Sequence, residues 1–272
     1  MNKYLFRLLL IVTISIVVLG CKKEEAPGPQ KFGYTTTDCR LASWGMFFSK
    51  YDSNNQLTEI YKNEFYFPTA PAKLYRTLEY ENGELKRVIV PRFEPKEPIQ
   101  EPRDAWTEVE FEYGQYGVKT IRKFAYEGIR NGKIARIETD RQEFKYDNSH
   151  KTVEVLTYTY YSIEVDDLRV RGKSTFEYDS KGNLFKEISE SIIDGKVEST
   201  LLIKYYYDDY PNTSKVLNYI TDFDYISAPK IISTNNPIRI ESPGQVFDLN
   251  RTYDDHHNVT GDSPATIKWD CK

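Results

Sequence analysis

From Trp106 to Tyr113 the chain reads Trp-Thr-Glu-Val-Glu-Phe-Glu-Tyr, with apolar and acidic residues alternating. In an extended chain Val109, Phe111 and Tyr113 share one face, and Glu108, Glu110 and Glu112 share the other. One dry face and one wet face is the pattern of an antiparallel sheet. The same aromatic step of two residues recurs at Phe144 and Tyr146 and at Phe176 and Tyr178. Tyr158, Tyr160 and Tyr161 lie in a stretch apolar on both faces, which predicts a central strand covered on both sides.

A phrase recurs between these strands: KYDSNNQL from Lys50, EYENGEL from Glu79, KYDNSHKTV from Lys145, EYDSKGNL from Glu177 and TYDDHHNV from Thr252. Weaker copies are EYGQYGV from Glu112 and YYDDYPN from Tyr206. The phrase tyrosines are Tyr51, Tyr80, Tyr113, Tyr146, Tyr178, Tyr207 and Tyr253, with successive gaps of 29, 33, 33, 32, 29 and 46 residues. A nearly fixed period is the signature of a repeat-built fold. In each copy a tyrosine ends a strand, Asp, Asn, Ser and Gly supply the turn, and an apolar residue opens the return strand. Further turns are visible at 127–132 and 194–196, so each period holds two strands and two turns. The sum is about a dozen strands. The expected fold class is all-β: consecutive antiparallel hairpins forming a curved sheet or open barrel.

Two stretches break the rhythm. Residues 211–223 space their apolar positions like a helix, with Asn212 to Ser214 as cap candidates, which predicts one short helix near 214–224. Residues 91–102 carry Pro91, Pro95, Pro98 and Pro102, which oppose regular pairing and predict a long exposed loop, either a functional segment or a tolerated insertion.

The N-terminus gives an address. Lys3 and Arg7 precede an apolar run from Leu8 to Leu19 that is too short to cross a bilayer, so residues 1–20 read as a cleaved signal peptide. Val18-Leu19-Gly20-Cys21 resembles the bacterial lipobox, which implies acylation of Cys21. Acyl chains contribute about 0.8 kcal/mol per buried methylene, and two or more anchor stably. Lys23, Glu24 and Glu25 resemble the lipoprotein export signal of Bacteroidota, which implies an outer-membrane protein facing the cell surface. Attachment facing the periplasm is the alternative. Residues 21–38 are then a lipidated flexible tether, and 39–272 a single β domain.

The chain has 37 basic and 41 acidic residues, and loss of residues 1–20 removes Lys3 and Arg7 and no acid, taking the net charge from −4 to −6. That gives no electrostatic case for nucleic acid. Tyrosine (22) and phenylalanine (14) are abundant, as strands favour. Cys39 and Cys271 bracket the folded part, and an exported protein meets an oxidising compartment, so a Cys39–Cys271 disulfide is expected. Such a bridge brings first and last strands within about 7 Å, so the sheet has to curl or double back.

The phrase, best in EYDSKGNL, resembles the tyrosine–aspartate (YD) repeat of bacterial cell-surface proteins. The C-terminal order of a hairpin, the predicted helix with Leu217-Asn218-Tyr219, then Asn235 to Ile240 and a last Tyr-Asp hairpin ending in cysteine resembles uncharacterised YD-like lipoproteins of Bacteroidota. The resemblance implies a secreted or surface β protein and no reaction.

No catalytic constellation is legible: GxSxG, HExxH, P-loop and GxGxxG motifs are all missing from the sequence. The histidines are His150, His256 and His257, and the last two occupy the turn slot of a repeat, without zinc-ligand spacing. Glu108, Glu110 and Glu112 read as a solvated face rather than a two-carboxylate site. The Asn212 and Asn258 triplets match a glycosylation acceptor, which carries little weight in a bacterial lipoprotein. Tyrosines serve as cross-strand packing or as a stacking platform for sugars or peptides. The expectation is a non-enzymatic module with no cofactor and no metal, bound to the membrane by its lipid and binding a glycan or protein. The alternative is a periplasm-facing carrier holding an apolar ligand in the concavity of the sheet.

Overall fold

The tyrosine phrase folds as a hairpin turn shaped by its aspartate. In a computed structural model, which describes residues 39–63, 71–91, 105–130, 133–160, 168–213, 233–262 and 265–271, the Asp52 carboxylate accepts the backbone N–H groups of Asn54 and Gln56, both at 2.8 Å. Asp147, Asp179 and Asp254 accept the corresponding pairs at 2.8–2.9 Å. The turn closes through two backbone bonds, Asp52 N–H to Gln56 O and Asn55 N–H to Asp52 O in the first copy. Its fourth residue adopts a left-handed conformation: Asn55 (φ 60°), His150 (64°), Gly182 (88°) and His257 (61°). Asn and His are among the few residues other than glycine that tolerate this region. The two histidines therefore sit where the backbone needs them, and their rings stack on Tyr116 and Tyr210 at 4.4 and 4.6 Å.

The strands that these turns join are β1 (Arg40–Trp44), β2 (Phe47–Tyr51), β3 (Leu57–Lys62), β4 (Lys73–Glu81), β5 (Glu84–Pro91) and β6 (Ala105–Gly114). Next come β7 (Gly117–Arg130), β8 (Lys133–Tyr146), β9 (Thr152–Tyr160), β10 (Leu168–Tyr178), β11 (Leu184–Ile193) and β12 (Lys196–Pro211). The last are β13 (Asn235–Ser242), β14 (Gln245–Asp248), β15 (Arg251–Tyr253), β16 (Val259–Asp262) and β17 (Ala265–Asp270). All pairings are antiparallel, and β1 to β14 follow one another in chain order. The described residues hold 17 strands, more than the expected dozen.

The phrase tyrosines link each hairpin to the one before. Tyr80 donates to the Leu57 carbonyl, Tyr113 to Leu85, Tyr146 to Val118 and Tyr178 to Thr152, at 2.7–3.0 Å. Each ring packs on the core while its hydroxyl is satisfied one period back, which removes the cost of burying it. Burial accordingly pushes the Tyr80, Tyr146 and Tyr178 hydroxyls above the ordinary phenol value. The core is a column on the inner face, including Leu57, Leu85, Val109, Phe111, Phe144, Phe176 and Leu184. The packing role expected for these tyrosines holds. β9 is internal, as the sequence suggests, but Tyr158 is only half-buried, because its outer side faces Arg141 and hydrogen-bonds Glu143 rather than a second layer.

The sheet curls. β17 pairs with β1, with Arg40 opposite Asp270 and Trp44 opposite Ile267, and the Cys39–Cys271 disulfide joins their ends with α-carbons 4.2 Å apart. The spatial order is β15–β16–β17–β1 and onward to β14. Its two ends, β14 and β15, are neighbours in sequence, yet they do not pair, so the sheet is curved and open rather than a closed barrel. The gap is bridged at the turn edge by buried polar groups. Thr213 Oγ1 accepts the Val259 N–H at 2.9 Å, Asn236 Oδ1 accepts the Thr213 N–H at 3.0 Å, and Tyr253 donates to the Asp208 carboxylate. Ser233 takes the Leu184 N–H and meets the Tyr207 hydroxyl, filling the place an earlier hairpin fills for the other tyrosines.

The described residues hold no helix, and the predicted helix at 214–224 lies outside them, as do residues 1–38, Tyr161 and most of the proline-rich segment. Pro91 itself ends β5, opposite Ala105.

Candidate functional site

Three surfaces of the sheet carry chemistry. On the outer face, charged residues pair across strands from β4 to β11. The centre is Glu108, which is 1% exposed. It accepts Arg87 at 2.7 Å, Arg136 at 2.9 Å and the Tyr126 hydroxyl at 2.5 Å. The solvated face expected for Glu108, Glu110 and Glu112 is thus corrected at Glu108: long side chains from β5, β7 and β8 lie across it, while Glu110 and Glu112 stay half-exposed. Burial pushes the Glu108 pKa up, but the hydrogen bonds from Tyr126, Arg136 and Arg87 outweigh it and hold the carboxyl below its ordinary value. A carboxylate so held stays ionised and is a poor proton donor. Flanking pairs are Lys145–Glu154, Lys119–Glu112 and Arg141–Glu138.

The second surface is the end of the sheet built by β11 to β14. Residues 196–202 of β12 are exposed on both faces, because β13 covers β12 only from Lys204 onward. Val197, Val246 and Phe247 are each 53% exposed, and Ile193, Leu201, Leu202 and Tyr206 are also exposed. Large apolar side chains left exposed at one end of a sheet, on both of its faces, mark a contact surface. Ser191 pairs with Ser199 and Ile192 with Val197, so Glu198 is an extra, bulged residue on the open edge. A bulge carrying a charge discourages addition of another strand. The surface therefore offers side chains rather than backbone.

The third is the seam at the disulfide. Asp254, His256 and Cys271 place their ligand-capable atoms within 4.8 Å of one another. His256 is exposed. Asn258 Nδ2 approaches the Cys39 and Cys271 sulfurs at 3.4 and 3.8 Å. Periodicity placed His256 in a turn but gave no hint of the sulfur beside it, since that proximity comes from the β1–β17 pairing.

Of the residues singled out in the sequence, Cys39 and Cys271 are joined as expected. Cys21, Lys23, Glu24 and Glu25 lie outside the described residues. Asn212 and Asn258 are 2% and 0% exposed, so neither triplet is open to a glycan in the folded chain.

No protein-family model matches the sequence, and no curated protein matches it. Solved structures do. A porin-like protein from Bacteroides uniformis aligns with a TM-score of 0.50 and 11% identity, over 89% of this chain and 100% of that one. A porin-like protein from Bacteroides vulgatus aligns at 0.46 and 10% identity, over 85% and 98%. TcdB2-TccC3 without its hypervariable C-terminal region aligns at 0.33 and 14% identity, over 86% of this chain and 10% of its own. The likeness to the Bacteroides uniformis protein is one of fold: this is an all-β protein built as one curved antiparallel sheet.

Proposed function

We propose that the chain is a non-enzymatic outer-membrane lipoprotein, displayed at the cell surface through Cys21, that binds a protein partner by the apolar end of its sheet. The observation that carries this is the two-sided exposure of residues 196–202 of β12, with Val246 and Phe247 also exposed on β14. Aliphatic side chains dominate there, whereas a sugar platform needs flat aromatic rings, so a protein fits better than a glycan. The YD-like reading rests on the repeated phrase, and the lipoprotein and surface readings on residues 18–25.

The name of the porin-like fold neighbours raises a channel reading. Strands facing lipid need an outward apolar band. The outward face of β6 to β9 instead carries Glu110, Arg122, Glu138, Arg141, Lys145 and Glu154 in ion pairs, which favours a sheet in water beside the membrane. The carrier reading asks for an apolar cavity, but the apolar side chains of the inner face are packed on one another.

Photo-crosslinking on living cells tests the docking end. A benzoylphenylalanine at position 247 or 197 is expected to give discrete adducts of higher mass, and one at position 122 on the charged face none. Leu201→Glu is expected to cut the adduct at 197 by about tenfold or more, as for a hot-spot residue. Equal labelling at all three positions, or none at 247 and 197, removes this end as the binding surface.

A further inference from the structure

The last capped turn differs from its counterparts in what it meets. The residue two after the capping aspartate is Asn54, Ser149 or Lys181 in the other copies, and His256 here. This turn abuts the seam where β17 returns to β1, so its side chains face the Cys39–Cys271 bond. The ligand-capable atoms of Asp254, His256 and Cys271 fall within 4.8 Å of one another, and Cys39 is bonded to Cys271. The arrangement is firm. Asp254 Oδ1 takes the backbone N–H groups of His256 and Asn258 at 2.9 and 2.8 Å, and Oδ2 takes Asn258 Nδ2 at 3.1 Å. A carboxylate oxygen has two lone pairs, so Oδ2 retains one for a cation. The His256 ring makes no hydrogen bond among the described residues and is open to solvent.

We propose that reduction of the Cys39–Cys271 bond turns this seam into a zinc site, with two thiolates, His256 and Asp254 as its ligands. Two sulfurs, one imidazole nitrogen and one carboxylate oxygen make a four-coordinate set suited to zinc. In the oxidised chain the sulfurs carry no thiolate charge and bind metal poorly. The conversion balances. With a phosphine reductant the S–S bond breaks, water gives its oxygen to phosphorus as phosphine oxide, and its two protons end on the sulfurs. Zinc then displaces both protons as it binds. The first and last strands are thereby held by a covalent bond under oxidising conditions and by a metal under reducing ones. This site is separate from the docking end of the sheet and does not depend on it.

The test is a zinc titration of the full metal-free chain against a chromophoric chelator, before and after phosphine reduction. One zinc per reduced chain, release of two protons, and no comparable uptake by the oxidised chain are expected. His256→Gln is expected to weaken uptake by about tenfold or more, by analogy with the losses seen when a metal site is disturbed. Zinc should also raise the melting temperature of the reduced protein, and much less that of His256→Gln. Equal uptake by oxidised and reduced protein overturns the site. So does uptake indifferent to His256, which is what thiols of an unfolded chain would give.

Discussion

Replacing both bridge cysteines, as in Cys39→Ser with Cys271→Ser, is expected to lower stability by about 2 to 5 kcal/mol, or roughly 5 to 15 °C in melting temperature for a domain of this size. The reason is the length of chain the bridge closes, 232 residues. A cross-link over so long a loop removes much of the freedom of the unfolded chain. In the folded state β15 to β17 attach to the sheet through β1 and through Asp208 and Thr213 at the turn edge. Without the bridge these strands should open first. Thermal melts of wild type and the double variant measure the loss, and hydrogen exchange at Ile267 and Trp269 locates it. Superimposable melts would show that strand pairing alone closes the sheet.

Glu108→Ala is expected to cost about 3 to 5 kcal/mol, the usual penalty for removing one partner of a buried ionic group. Arg87, Arg136 and Tyr126 would lose the carboxylate they converge on. Glu112→Ala, on the same face but half-exposed, should cost at most about 1 kcal/mol. Acid should erase the difference. The folded Glu108 carboxyl lies below its ordinary value of 4.5. A depressed value means the contribution is complete above the unfolded value and is lost as pH falls through the folded one. Urea unfolding of wild type and variant should therefore differ fully at neutral pH and converge under acid. A gap that persists unchanged in acid would assign the effect to packing.

Much of this fold is written in local chemistry. A tyrosine followed by an aspartate and a residue tolerant of positive φ specifies a capped hairpin whatever surrounds it. That is why Asp52, Asp147, Asp179 and Asp254 could be placed in turns from sequence. The bridge was legible because the cysteines bracket the repeats. What stayed hidden depends on register between strands. Alternation puts Glu108 outward, but whether Arg87 and Arg136 lie over it is decided by pairing with β5 and by the path of β8. Asn212, Asn235 and Asn236 look like loop residues, yet they are buried where the curled sheet meets itself. The exposed apolar end was hidden for the same reason. β12 alternates like any strand, and only the short reach of β13 leaves its first half bare.

Display of a lipid-anchored module on the outside of the cell is tested by protease treatment of intact cells, with a known periplasmic protein as control. This chain is expected to be cut while the control survives, and Cys21→Ala is expected to abolish its retention on cells. Protection until the outer membrane is opened, followed by cutting, would contradict surface display and place the protein on the periplasmic side.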